Sequence, residues 1–242
     1  MRVTVWNEYY HERHNEKVRG IYPEGIHTAL VQGLGEHLPD ARWSTATLKE
    51  PEHGLSEAVL ENTDVLMWWG HLAHDKVDDV VVDRVCRRVL QGMGLIVLHS
   101  AHLSKPFVRL MGTSCNLRWR EAEDQEVIWS VAPDHPICEG VPQPLQLDVH
   151  EMYGEYFDIP APDELVFISN FSGGEVFRSG CCFQRGKGRI FYFSPGHETY
   201  PIYYQSGVQQ VLCNALRWAH RPVKSAIDMQ HSPEVQTGWF RK

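Results

Sequence analysis

Basic runs are almost missing from this chain: none is longer than two residues, as at Arg87-Arg88, and 23 lysines and arginines stand against 31 aspartates and glutamates for a formal charge of −8. Nucleic-acid surfaces are built from clustered positive charge, so a nucleic-acid partner is set aside. Long apolar runs are missing too; the longest are strand-length, and no membrane association is expected. The six cysteines (Cys86, Cys115, Cys138, Cys181, Cys182 and Cys213) form no CxxC pair. The vicinal pair Cys181-Cys182 should point to opposite faces of a strand, so reduced, buried thiols are expected. The first residues, Met1 to Trp6, alternate as a β-strand does instead of showing a charged and then apolar leader, which suggests an unsecreted, cytoplasmic protein. There is no repeat and no low-complexity tract.

What is present is enough chain for a full core and an excess of histidine, 14 in 242 residues. The length favours one large domain or one domain with an appendage, read here as a single domain over 1–222 and a C-terminal arm over 223–242. The organising stretch is Gly92-Met-Gly-Leu-Ile-Val-Leu-His-Ser-Ala-His102. Leu95 to Leu98 is a short continuous apolar run, the pattern of a strand buried on both faces of a parallel sheet. His99, Ser100 and His102 follow its carboxyl end, where open α/β sheets place their ligand crevice.

Around that strand the pattern alternates. Val3 to Trp6 reads as a strand ending at Asn7-Glu8, then a polar loop runs from Tyr9 to Val18. Tyr22 to His37 reads as a helix with Pro23 near its start, and Ala41 to Thr47 as a strand. A short helix from Ser56 to Leu60 precedes a strand from Asp64 to Trp69, which closes on Gly70-His71. Asp75 is placed to cap a helix from Lys76 to Gln91, with Gly92 at its other end. A short helix from Lys105 to Met111 follows the central strand. This β-α-β-α-β-α-β order demands parallel strands with helical crossovers: an α/β, doubly wound, mostly parallel sheet.

From 112 to 162 six prolines interrupt the pattern, and only Gln125 to Ser130, Leu145 to Val149 and Tyr153 to Phe157 look strand-like. This strand-rich insertion is expected to fold over the sheet edge as a lid or a dimer surface, and it is compatible with a homo-oligomer. Strands resume at Glu164 to Asn170, Gly180 to Gln184 and Gly188 to Phe193, the last two joined as a hairpin through Arg185-Gly-Lys-Gly. An amphipathic helix from Ser206 to His220 ends before Pro222.

Several residues are of the right type for chemistry. Ser100 sits on a strand-to-helix turn, where it would be a nucleophile, a helix cap or a ligand contact; the glycines of a G-x-S-x-G elbow are absent. His197, after Phe191-Tyr-Phe-Ser-Pro-Gly, would be a general base, a metal ligand or the partner of a loop carbonyl, with Glu198 as the spare because adjacent residues rarely face one pocket. His71/His74 and His99/His102 share i, i+3 spacing but lie at strand ends, so neither is a helical metal motif such as HExxH. Strand ends should nevertheless gather Asn7, Glu8, His71 and Ser100, which leaves room for a three-ligand zinc site, or one for a similar divalent metal, made from separate loops. Within His150 to Tyr156, period-2 alternation puts Glu151, Tyr153 and Glu155 on one face; they are either a solvated strand face or a cover over the crevice. Trp6, Trp68, Trp69, Tyr153 and Tyr200 suit a hydroxyl-rich ligand and a core equally.

The first strand with its loop (Val3 to His11), Gly70-His71, Gly94-Leu-Ile-Val-Leu-His-Ser-Ala101, Glu151-Met-Tyr153 and Gly188-Arg-Ile-Phe-Tyr-Phe-Ser-Pro-Gly-His197 together resemble the ThuA-like trehalose-utilisation family of the class I glutamine amidotransferase-like superfamily. The resemblance implies a flavodoxin-like sheet and a role in carbohydrate metabolism, on keto-sugar derivatives of disaccharides. The related amidotransferases carry a Cys at the elbow and an H-P-E run near the C-terminus. Here Ser100 and Gly196-His197-Glu198 stand in those places, so glutamine hydrolysis through a thiolate is not expected. The expectation is an enzyme acting on a sugar or oxidised sugar by acid/base or metal-assisted chemistry. Its catalytic residues would be His197, Glu151 and Ser100; its substrate contacts Asn7, Glu8, Tyr153 and His99; its metal ligands His71, His102 and His197, holding a divalent ion such as zinc. No nucleotide cofactor is expected. The alternative is a sugar-binding or assembly module that has lost catalysis, since a fold hosts functions without guaranteeing them.

Overall fold

Short valine- and tryptophan-rich strands alternating with amphipathic helices build one nine-stranded sheet in the computed structural model, which describes residues 1–222. The expected C-terminal arm, 223–242, lies outside the described residues. In chain order the elements are β1 (Arg2–Asn7), α1 (His11–His14), α2 (Glu16–Ile21), α3 (Ile26–His37), β2 (Arg42–Thr47), α4 (Glu57–Glu61), β3 (Val65–Trp69), α5 (Asp79–Gln91), β4 (Gly94–Leu98), α6 (Lys105–Met111), β5 (Arg118–Ser130), β6 (Leu145–Gly154), β7 (Glu164–Phe171), β8 (Val176–Arg185), β9 (Gly188–Phe193) and α7 (Ser206–Ala219).

The strand order is β2-β1-β3-β4-β9-β8-β7-β5-β6. The first five strands are parallel, and the pairs from β9 outward to β6 are antiparallel. Parallel strands require crossovers, and helices fall on both faces of the sheet, the doubly wound arrangement. Alternation along the strands divides the core. Val3, Val5, Met67, Ile96 and Leu98 pack with α3 and α7, while Trp6, Leu66, Trp68, Leu95 and Val97 pack with α5. All five residues of β4 are buried, as a strand covered on both faces must be.

Local chemistry sets the helix ends. Val81, Val82, Val85 and Val89 give α5 its buried stripe, and Gly92, at φ 126°, closes it. The capping residue is Asp78 and not Asp75; His74–Lys76 forms a separate 3-10 turn. The expected polar loop from Tyr9 to Val18 holds α1 and the first half of α2, the latter capped by Asn15, whose side chain accepts from the amides of Lys17 and Val18. The helix expected from Tyr22 starts at Ile26, because Gly25 at φ 89° interrupts the helical backbone.

The segment from 112 to 162 departs most from expectation. It extends the main sheet instead of forming a separate flap: β5 begins at Arg118 and pairs with both β6 and β7. The strand expected over Tyr153 to Phe157 ends at Gly154, as the last residues of β6. The β8–β9 hairpin forms where the glycines of Arg185-Gly-Lys-Gly placed it. Cys181 and Cys182 enter opposite core layers, and all six cysteines are free. Among the described residues no helix is long and apolar enough to cross a membrane.

Candidate active site

Carboxyl ends of β1, β3, β4 and β9 meet the last residues of β6 at one edge of the sheet. Glu8, just past β1, is a buried carboxylate that accepts three backbone amides, from His71 at 2.8 Å, Leu72 at 2.9 Å and Ala73 at 3.0 Å. It fastens the loop after β3. Asn7 is also buried; its amide donates to Glu12 at 2.7 Å and lies 3.1 Å from His27, while its oxygen accepts from the amide of Tyr9. Neither lines the cavity described below, so both expected substrate contacts are placed in the framework behind it.

The loop so fastened presents His71. Its Nδ1 donates to Glu198 at 3.1 Å, and His11 Nε2 lies 3.2 Å from the same carboxylate. Burial works against charge on His71, but the hydrogen bond and charge of Glu198 outweigh it and raise its pKa. Glu198, although buried, is held below the usual carboxylate range by the hydrogen bond from His71 and by the charge that this ring favours. Burial keeps His11 neutral, with its pKa lowered. His71 and Glu198 therefore form a hydrogen-bonded pair in which each favours the charged form of the other, and Glu198, expected as a spare, is central. The tight turn at Gly196, φ 148°, lets the adjacent His197 and Glu198 both reach it.

His99, Glu151 and Tyr153 form the second group. His99 opens the turn after β4 with φ 50°, and its Nδ1 donates to the Ser194 carbonyl at 2.7 Å. A carbonyl only accepts, so the neutral ring has its lone pair at Nε2. Nε2 hydrogen-bonds with the Tyr153 hydroxyl at 3.2 Å, and Glu151 Oε2 lies 3.0 Å away without hydrogen-bond geometry. Burial holds His99 well below its ordinary pKa and raises that of Glu151. Glu151 Oε2 itself has no hydrogen-bond partner among the described residues. Tyr153 stacks flat on His99, with ring centroids 4.7 Å apart.

His197 is oriented the opposite way. Its Nδ1 accepts from the Thr199 amide at 3.2 Å and contacts the Thr199 hydroxyl at 2.9 Å, so the neutral ring carries its proton on Nε2. Burial lowers its pKa to about 3. Nε2 points toward Glu151 at 3.9 Å and Glu121 at 4.0 Å. In this tautomer His197 donates and is not a base. His102 donates through Nδ1 to the Cys115 carbonyl at 2.7 Å, and burial again lowers its pKa to about 3. The Ser100 hydroxyl donates to the Gly70 carbonyl at 2.9 Å. A serine whose proton is held by a carbonyl lacks the base that activates a nucleophile, so Ser100 is placed as a wall of the site.

These groups surround a cavity of about 300 Å³ lined by His71, His74, Ser100, His102, Leu103, Asn116, Leu117, Trp119, Glu121, Glu151, Tyr153 and His197. Of the expected residues, it gathers His197, Glu151, Ser100, Tyr153, His71 and His102 on its wall. His99 stands immediately behind Glu151. Not foreseen were Trp119 and Leu117, which the sequence presents as an unremarkable stretch before a strand, and His150. The last is a buried strut: its Nε2 accepts from the Gly196 amide at 3.1 Å, and its Nδ1 lies 2.7 Å from Glu126, which in turn accepts from Ser169. The β6 alternation put His150 and Glu151 on opposite faces, and both then find partners because the end of β6 lies over the mouth of the parallel strands.

The expected metal set of His71, His102 and His197 does not converge. Among the described residues, ligand atoms lie within 4.8 Å of one another in two other groups, His11–His71–Glu198 and His99–Glu151–His197. A metal-bound imidazole presents a lone pair and donates through its other nitrogen to an acceptor. His99 meets that condition. His197 does not, because its Nδ1 is occupied by an amide donor and its Nε2 carries the proton. In the first group His71 is hydrogen-bonded to Glu198, while His11 Nε2 lies 3.2 Å from that carboxylate and its buried Nδ1 has no partner among the described residues; no step below is routed through a metal.

Solved structures place this architecture among class I glutamine amidotransferase-like folds. A glutamine amidotransferase from Thermotoga maritima matches with a TM-score of 0.52 at 11% identity, over 90% of this chain and 97% of that one. A ThuA-like protein from Parabacteroides merdae matches with a TM-score of 0.64 at 16% identity, over 93% of this chain and 92% of that one. A cytoplasmic protein from Salmonella typhimurium matches with a TM-score of 0.62 at 12% identity, over 91% of this chain and all of that one. The family model described as ThuA, trehalose utilisation, matches residues 2–219, and the chain belongs to that family. A search of curated protein sequences finds no match.

Proposed function

We propose that the protein is a cytoplasmic enzyme of trehalose or keto-sugar utilisation that works by acid/base chemistry on a sugar derivative, with Glu151 as the proton-transfer group. The family supports the substrate class, and the free cysteines support the compartment. The observation that carries the chemistry is the buried Glu151 on the cavity wall, whose Oε2 lies 3.0 Å from His99 Nε2 and has no hydrogen-bond partner of its own among the described residues. Burial raises the pKa of this carboxyl, the direction a general acid needs. His71, whose charged form Glu198 favours, and the Nε2–H of His197 face the same space and would bind an oxygen on which negative charge develops. His102 and Ser100 shape the opposite wall.

The test is Glu151→Gln, which preserves size and a hydrogen-bond donor but cannot transfer a proton. Trehalose and its keto derivatives are incubated with both proteins and products are followed by NMR. Turnover should fall by about 10²-fold or more while the fold and sugar binding persist. Equal turnover by the variant would overturn the assignment, and tight binding by the wild-type protein without any product would favour a sugar-binding module instead.

A further inference from the structure

The cavity has two unlike walls. The inner wall is polar and titratable; the outer one is made by Leu103, Leu117 and Trp119. Trp119 is 66% exposed, whereas Trp6, Trp68 and Trp69 are fully buried. Exposure alone marks nothing, since Trp129 on the same strand is 50% exposed; what sets Trp119 apart is that its indole lines the cavity. Its position is set by register. Trp119 lies directly opposite Tyr153 in the antiparallel β5–β6 pair, so both project from the same face of the sheet. Tyr153 touches His99 beside the proposed acid. The indole is thus displaced from Tyr153 by one strand, about 5 Å between directly opposed residues, roughly the breadth of a sugar ring.

Resting on the acid/base reading above, we propose that Trp119 is a stacking platform for the second ring of a two-ring sugar, whose first ring sits against Glu151, and that preference for disaccharides over single sugars resides there. An indole face is flat and apolar with a polar tip, and it complements the C–H face of a pyranose while hydroxyls remain in water. Leu103 and Leu117 flank it with apolar contact. Glu121, two residues along β5 and so on the same face, is placed to accept hydroxyl hydrogen bonds at the rim. The opposite face of β5 has no comparable freedom, since Arg120 is bonded there to Asp124 and Glu175.

The experiment compares wild-type protein, Trp119→Ala and Trp119→Phe by titration calorimetry, with trehalose and glucose as probes, and follows the indole fluorescence on trehalose addition. Trp119→Ala should weaken trehalose binding about ten-fold, which is about 1.4 kcal/mol, and change glucose binding by less than about two-fold. Trp119→Phe should recover part of the loss. Binding is read at equilibrium, so it is independent of turnover: failure of the Glu151→Gln test would leave these numbers standing. Equal weakening of both sugars, unchanged trehalose binding, no trehalose binding by the wild-type protein, or a change in oligomeric state with sugar affinity unaltered would each overturn the platform.

Discussion

Glu8 is the residue whose removal should expose the construction of the site. It is 2% exposed, and its two oxygens take three main-chain amides of the loop that carries His71. In Glu8→Gln the amide oxygen can still accept from His71 and Ala73, as Oε2 does now, but the new NH2 group is then aimed at the Leu72 amide. One hydrogen bond is lost and two donors are left facing each other, at a cost of about 1–3 kcal/mol. The two surviving bonds fall from charge-assisted to neutral, a further loss of about 1 kcal/mol each. The sum is about 3–5 kcal/mol, and at about 2–4 °C per kcal/mol for a chain of this size the melting temperature should drop by about 6–20 °C. Differential scanning calorimetry with urea unfolding measures this. Turnover should fall as well, because a freed loop no longer holds the His71 ring against Glu198. A stability loss under about 1 kcal/mol would refute the view that this carboxylate fastens the loop.

The His71–Glu198 pair should show in pH dependence. His71 has a folded pKa raised above its unfolded value of about 6.5, so its contribution is fully present below that value and fades as pH rises through the folded pKa. Glu198 is depressed, so its contribution is present above about 4.3 and is lost only as pH falls through its lower folded value. The stability difference between wild-type and His71→Asn protein should therefore be greatest between about pH 4.5 and 6.5 and shrink toward pH 9; a flat difference would contradict the pairing. Gly196→Ala should cost about 2 kcal/mol and most of the activity, since the residue holds φ 148° and a Cβ there would run into the Tyr203 hydroxyl. Gly20→Ala, in α2 with open space around it, should be neutral or slightly stabilising in the same denaturation assay.

Most of the parallel half was legible along the chain. The run from Leu95 to Leu98 could only be a strand covered on both faces, and the stripes of α5 and α7 could only be helices packed on one side. The gathering of His71, Ser100 and His197 at one mouth also followed, because parallel strands all deliver their carboxyl ends to the same edge. The half built from β5 to β8 was harder to read. Its prolines and charged residues weaken the alternation, and nothing local shows that β5 pairs with both β6 and β7.

Sequence by itself determined which side chains could carry protons and which strand ends would bear them, since residue type and period are local properties. Roles were decided only by the tertiary structure. A carbonyl at Ser194 and an amide at Thr199 dictate opposite tautomers for His99 and His197. The Gly70 carbonyl holds the Ser100 proton, and three amides turn Glu8 from a ligand contact into a fastening. A hydrogen-bond partner distant along the chain fixes where a proton sits, and that partner exists only once the sheet has brought the loops together.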